Sequence, residues 1–284
     1  MNIAEALAAT PVSELDLTRY VEVSPTTTVA ATVDTMNGAA RSLACVVSED
    51  KLVGVFTQRD YLMRVIGRSR VWDSPITEEM TRSVRTITLD QTAADGMAIM
   101  NDWWVRSVPV LASDETLAGN LSYYELMSRI AALVLEHVGD DDSAPEVRHS
   151  LTLIDFTGLH TSAPVTVKVT DTVEVAAHHM RARAIGSVLV VDGHEHLVGM
   201  LTEFDLQREI ACELEDLAKV PVADIMTPDP ISLAVRSPIV GAVEEMANRG
   251  FSHLPLLGES GRPVAVASFR DIAAYMETSF AALM

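Results

Sequence analysis

Four segments of this chain follow one pattern, and that repetition constrains the fold more than any other feature. Gly54-Val55-Phe56-Thr57-Gln58-Arg59-Asp60 runs small residue, two apolar residues, hydroxyl, two further residues, carboxylate. Gly119 to Glu125, Gly199 to Asp205 and Ala265 to Asp271 read the same way, with Asn120 the one polar residue at the two apolar positions. The hydroxyls Thr57, Ser122, Thr202 and Ser268 are spaced by 65, 80 and 66 residues. The two halves superpose at offsets of 145 and 146. The chain is therefore two related halves, each of two related repeats, and its folding unit must be a repeat that stacks on others.

A second mark keeps the same register. Met36, Met100, Met180 and Met246 precede those small residues by 18 or 19 positions. Seven residues before each Met stands Val29, Ala93, Val173 or Ile239, preceded in turn by Thr28, Thr92, Thr172 or Pro238. Each repeat reads β-α-β-β-α. The first strands are expected at 20–23, 85–89, 165–169 and 231–233, and the apolar spacing that follows predicts a helix. The middle strands are expected at 43–47, 108–111, 188–191 and 254–257, with turns at Glu49-Asp50 and Asp192-Gly193. The last strand ends at the hydroxyl, where a final helix begins. Four such units make an α/β (α+β) protein. The first tandem pair is placed at 11–138 (repeats about 11–70 and 71–138), an acidic linker at 139–149, and the second pair at 150–284 (repeats about 150–215 and 216–284).

Composition narrows the function classes. Forty acidic residues face 21 basic ones, a formal charge of −19, and the basic set holds only three Lys against 18 Arg. Such a surface disfavours nucleic-acid backbones and anionic lipid. Acid excess with so few Lys resembles proteins of salt-loving archaea, where salt leaves a Debye length of about 3 Å, so the stronger argument against nucleic acid is that the repeats leave no basic helix. No apolar run approaches the ~20 residues that cross a bilayer, and Met1-Asn2-Ile3-Ala4-Glu5 has no basic, apolar leader pattern. A cytoplasmic protein is expected. The two cysteines imply no disulfide framework, and Cys45 reads as a buried thiol. His194-Glu195-His196 in a turn and His178-His179 on a helix do not assemble a metal site. The absence of a Gly-x-Ser-x-Gly elbow or a Walker loop argues against an enzyme.

These features resemble the cystathionine-β-synthase (CBS) domain family. The resemblance rests on Asp224-Ile225-Met226-Thr227-Pro228, on Ser252-His253-Leu254-Pro255-Leu256, and on their counterparts Met80-Thr81 and Arg106-Ser107-Val108-Pro109-Val110. It rests equally on the four closing turns, and it covers roughly residues 11 to 280. It implies two tandem CBS pairs, each with two clefts, and adenosine-containing ligands such as AMP, ADP, ATP or S-adenosylmethionine. It also implies a regulatory role toward a separate, unidentified effector protein, with homodimerisation through the faces of a pair as a further possibility and no cofactor required. The alternative is a ligand-free structural or protein-interaction module.

The site residues read two ways. Thr57 with Asp60, Ser122 with Glu125, Thr202 with Asp205 and Ser268 with Asp271 are helix capping boxes. In the resembling family the carboxylate also accepts ribose hydroxyls, and the helix start meets a phosphate. Glu125 departs from the Asp pattern, and Ala265 departs from Gly. Positive charge for phosphate is expected from Arg59 and Arg270 in the turns and from Arg41, Arg106 and His253 at the openings of the middle strands. The first cleft, with Thr57, Asp60 and Arg106, is expected to be best equipped. The third, with Glu203 and Phe204 in its turn and only His253 from its partner, suits an uncharged or cationic adenosine derivative.

Overall fold

A computed structural model describes residues 3–139, 155–159, 163–213, 216–272 and 275. The acidic stretch expected as a linker falls, from residue 140 onward, outside the described residues, and the helix Tyr123–Gly139 runs up to it.

Each repeat builds the same three-stranded sheet. In repeat one, β1 (Val21–Val23) pairs parallel with β2 (Leu43–Ser48), and β2 pairs antiparallel with β3 (Lys51–Thr57). The same order recurs in β4 (Ile87–Thr88), β5 (Ser107–Leu111) and β6 (Leu117–Ser122). Repeat three uses β7 (Thr166–Lys168), β8 (Ser187–Val191) and β9 (Leu197–Thr202), and adds β10 (Thr227–Pro228) beside β9. Repeat four uses β11 (Leu233–Ala234), β12 (His253–Leu257) and β13 (Pro263–Ser268). A register shift falls at the same place in every hairpin, at Val46/Val47, Val110/Leu111, Val190/Val191 and Leu256/Leu257. The β2–β3 connection is Glu49-Asp50, both with positive φ (51° and 62°), as a two-residue hairpin turn requires. The turn in repeat three extends from Asp192 to His196, where the Asp192 carboxylate accepts the backbone N–H groups of His194 and His196 at 2.8 Å.

The marks read in the sequence are the helix starts and their core contacts. Thr28, Thr92, Thr172 and Pro238 are the N-caps of the helices Val29–Gly38, Ala93–Asp102, Val173–Arg183 and Ile239–Arg249. Met36, Met100, Met180 and Met246 are fully buried, one turn pair along each helix. Burying one such side chain stabilises the fold by about 1.5–3 kcal/mol.

Those cores cross the halves. One joins repeats one and three, with Val29, Val33 and Met36 packed among Val173, Ala177 and Met180. The other joins repeats two and four, with Met100 and Leu126 among Ile239, Val243 and Met246. A smaller apolar patch, Leu43, Cys45 and Val55 with Leu117 and Val84, joins repeats one and two sheet to sheet. All four repeats are therefore joined by apolar contacts within one chain. At the junction of repeats one and three, equivalent helix ends reach across reciprocally. Asn37 donates to the Gln207 carbonyl at 3.1 Å, while Arg181 donates to the carbonyls of Leu62 (2.7 Å) and Ile66 (3.1 Å). The acceptors lie in or beside two π-helical turns, Tyr61–Val65 and Leu206–Ile210.

Candidate functional site

The four closing turns are built alike. Asp60 Oδ2 accepts the Thr57 N–H at 2.9 Å and the Thr57 hydroxyl at 2.7 Å, and Asp205 Oδ2 does the same with Thr202 at 2.8 and 2.6 Å. Asp271 Oδ2 accepts from the Ser268 N–H at 2.9 Å and its hydroxyl at 2.6 Å. Glu125 Oε2 accepts the Ser122 N–H at 3.0 Å and the Ser122 hydroxyl. The longer Glu fits because its chain is buried (5% exposed), and that burial pushes its carboxyl up, against Ser122 and Arg19.

The second oxygen distinguishes the copies. Asp60 Oδ1 accepts Thr81 Oγ1 at 3.1 Å and faces Arg64 Nη1 at 3.3 Å. A carboxylate offers about four acceptor directions, and Asp60 has filled its own. Among the described residues Asp205 Oδ1 meets only Thr227 Oγ1, at 3.4 Å. Glu125 Oε1 faces Arg19 Nε at 3.4 Å without a hydrogen bond. Asp271 Oδ1 shows no partner among the described residues. The expectation that the first cleft is best equipped for a ribose thus meets a saturated acceptor, and the oxygens without a hydrogen bond among the described residues are Glu125 Oε1 in repeat two and Asp271 Oδ1 in repeat four.

The Met-Thr pairs ahead of repeats two and four explain both the turn partner and the small residue. Thr81 and Thr227 are the hydroxyls on Asp60 and Asp205, and Met80 and Met226 lie over Gly54 and Gly199. A Cβ at Gly54 would stand 2.5 Å from Met80 Sδ, and one at Gly199 would stand 2.2 Å from Met226 Sδ.

The openings of the middle strands sit opposite the turn hydroxyls: Leu43 pairs with Thr57, Ser107 with Ser122, Ser187 with Thr202 and His253 with Ser268. The carbonyls of Ser42, Arg106, Gly186 and Ser252 accept from Gln58, Tyr123, Glu203 and Phe269 respectively. The register therefore equates Arg106 with Ser42. Arg41 lies one residue early, and its charge acts on Asp16 instead. This differs from the expectation that grouped Arg41 with Arg106.

The remaining cations converge where the four repeats meet. Glu203, 1% exposed, receives Arg59 Nε at 2.6 Å and a second ion pair from Arg106 Nη2. Arg59 comes from repeat one, Arg106 from repeat two and Glu203 from repeat three. The charges of Arg106 and Arg270 act on Arg59, which burial already lowers. Repeat four contributes Arg270, whose guanidinium lies 4.8 Å from the Trp104 ring and 5.8 Å from the Tyr123 ring and donates to the Val105 carbonyl at 3.4 Å. It also contributes His253, pushed down to about 3 by burial and then by Arg106 and Arg59, so it is neutral near pH 7. Its Nδ1 lies 3.1 Å from Ser252 Oγ. Glu203 carried no motif of its own; its signal was a charged residue at a turn position where repeats two and four place Tyr123 and Phe269.

Other candidates stay apart. His194 and His196 have ring centroids 6.2 Å apart, and no group of three or more potential metal ligands occurs among the described residues. Cys45 is buried and its thiol is pushed up to about 12 by burial. No helix among the described residues is long and apolar enough to cross a membrane.

Four sheets of one topology, four capping turns and a shared ionic centre define a protein of tandem β-α-β-β-α repeats built for contacts between repeats. The CBS domain pattern matches residues 12–67, 76–132, 156–212 and 222–278, and the chain belongs to the CBS domain family. It is 26% identical over 280 residues to the CBS domain-containing protein CBSCBSPB3 of Arabidopsis thaliana, covering 89% of this chain and 50% of that relative. It is 27% identical to CBSCBSPB2 of the same plant, covering 89% of this chain and 51% of the relative. The chain thus spans about half the length of both relatives. In fold it is similar to protein MJ1225 of Methanocaldococcus jannaschii, with a TM-score of 0.76 and 17% identity over 94% of this chain and 99% of that one.

Proposed function

We propose that this protein is a regulatory sensor of adenosine-containing ligands, with a phosphate or other anionic group received at the centre and a ribose received by a turn carboxylate. One observation carries the reading: in a chain of net charge −19, Arg59 and Arg106 from two repeats meet on the buried Glu203 of a third, and the charge of Arg270 from the fourth acts on Arg59. Assembling like charges costs free energy, and an anion binding there recovers it. Because the centre draws on all four repeats, a ligand held there biases their relative placement, and a partner protein reads the change. The effector and any homodimer through a pair face belong to this proposal.

The test is thermal unfolding with AMP, ADP, ATP, S-adenosylmethionine and methylthioadenosine. A ligand at a hundredfold its Kd adds about 2.7 kcal/mol. A midpoint that none of the five moves, at low and high salt, defeats the sensor reading. It would favour the second reading, a ligand-free interaction module, for which the saturated Asp60 carboxylate speaks.

A further inference from the structure

The four turns place Gln58, Tyr123, Glu203 and Phe269 at one structural position, since each donates its backbone N–H to the carbonyl that opens its middle strand. Glu203 is the single carboxylate in that set. It lies not beside the charge of its own repeat but under two arginines of the other half. At 1% exposure it has no route to water without leaving its seat, while Arg59 and Arg106 keep 35% and 41% of their side chains exposed. The carboxylate is therefore the fixed partner, and the guanidinium groups are its outward cover.

Resting on the adenosyl-ligand reading above, we propose that Glu203 is a built-in charge filter, which makes the central site accept a single phosphate group and reject a di- or triphosphate chain. Arg59 spends Nε and Arg106 spends one terminal nitrogen on Glu203. Their outer edges remain for a ligand, and Arg270, held at the Val105 carbonyl and the Trp104 ring, adds its charge nearby. Three guanidinium groups less the Glu203 carboxylate leave a charge of +2; Asp60, which also acts on Arg59, is offset by its ion pair with Arg64, and His253 adds none because it is neutral. That balance matches one phosphate monoester of about −2. Each further phosphate brings charge that the cluster does not offset, within a few ångströms of a carboxylate that cannot withdraw. Gly186 keeps the floor of the site narrow: a Cβ there would stand 3.2 Å from the His253 ring and 3.4 Å from Glu203 Oε2.

Calorimetric titration of the full chain with adenosine, AMP and ATP tests this. The wild type is expected to bind AMP at least about tenfold more tightly than ATP. Glu203→Gln is expected to raise ATP affinity by about tenfold and to change adenosine affinity by less than about twofold. A wild type that prefers ATP overturns the proposal. So does a variant with an unchanged AMP-to-ATP ratio, or one that gains as much for adenosine as for ATP. Should Glu203→Gln not fold, Glu203→Asp, which keeps the charge, must retain the AMP preference. If the wild type binds none of the three, the adenosyl reading fails and inorganic anions decide the filter by thermal shift. Stabilisation of the wild type by phosphate, with pyrophosphate effective only in Glu203→Gln, supports it. Indifference of both proteins to both anions overturns it.

Discussion

Arg59 and Glu203, from equivalent turns of repeats one and three, meet at 2.6 Å in the middle of the molecule. Arg106 completes the contact from repeat two. Removing one arginine leaves Glu203 a partner, and these side chains are partly exposed, so Arg59→Ala or Arg106→Ala should each cost about 1 kcal/mol or less. Removing both strands a buried carboxylate, so the double variant should lose about 3–5 kcal/mol. Urea unfolding of the four proteins measures the coupling. A double variant no worse than the sum of its singles would show that Glu203 finds water.

Met36 and Met180 sit in one core although they belong to different halves. Met36→Ala should cost about 2–5 kcal/mol through lost burial and a cavity. Hydrogen exchange should then quicken in the helix Val173–Arg183 as well as in Val29–Gly38. Faster exchange confined to the first half would mean that the halves are independently stable.

The turn carboxylates should separate structure from binding. Asp60 ties together Thr57, Thr81 and Arg64, so Asp60→Ala should destabilise the fold by about 1–3 kcal/mol. Asp271 holds only its own cap among the described residues, so Asp271→Ala should cost about 1 kcal/mol. If a ribose uses the free Oδ1 of Asp271, that variant should lose ligand-induced stabilisation out of proportion to its own cost. Equal stability losses in the two variants would contradict the assignment of Asp60 as saturated.

His253 gives a pH signature. Its folded value is pushed down to about 3, below an unfolded value near 6.5. The unfolded chain then binds more protons between those values, so the stability that neutral His253 contributes is full above about pH 6.5 and is lost as pH falls toward 3. The slope from this group approaches about 1.4 kcal/mol per pH unit at most. Denaturant unfolding from pH 7 to 5 should show the decline, and His253→Gln should flatten it. A His253→Gln profile as steep as the wild type would place the titrating group elsewhere.

Helix starts and buried methionines were legible because they depend on local spacing. Thr28, Thr92, Thr172 and Pro238 mark helix starts whatever lies beyond them, and the first two cap theirs with a side-chain oxygen. The capping boxes were legible for the same reason, since Thr57 and Asp60 are three residues apart on one turn. The first strands were overextended by the apolar pattern. Arg85 to Leu89 narrows to Ile87–Thr88, because only those residues find a partner in β5. Arg41 groups with Arg106 by counting along the chain, whereas strand register, set by hydrogen bonds to β3, shifts it by one.

The sequence by itself therefore determined the repeat, its order of elements and its four capped turns, all of which arise from contacts within a few residues or one hairpin. Only the tertiary structure decided which repeats share a core, which turn carboxylate is already saturated, and that Glu203 lies beneath Arg59 and Arg106. Those facts depend on side chains brought together from distant parts of the chain. Their meeting is governed by how four amphipathic units bury their apolar faces against one another, a choice that no single repeat encodes alone.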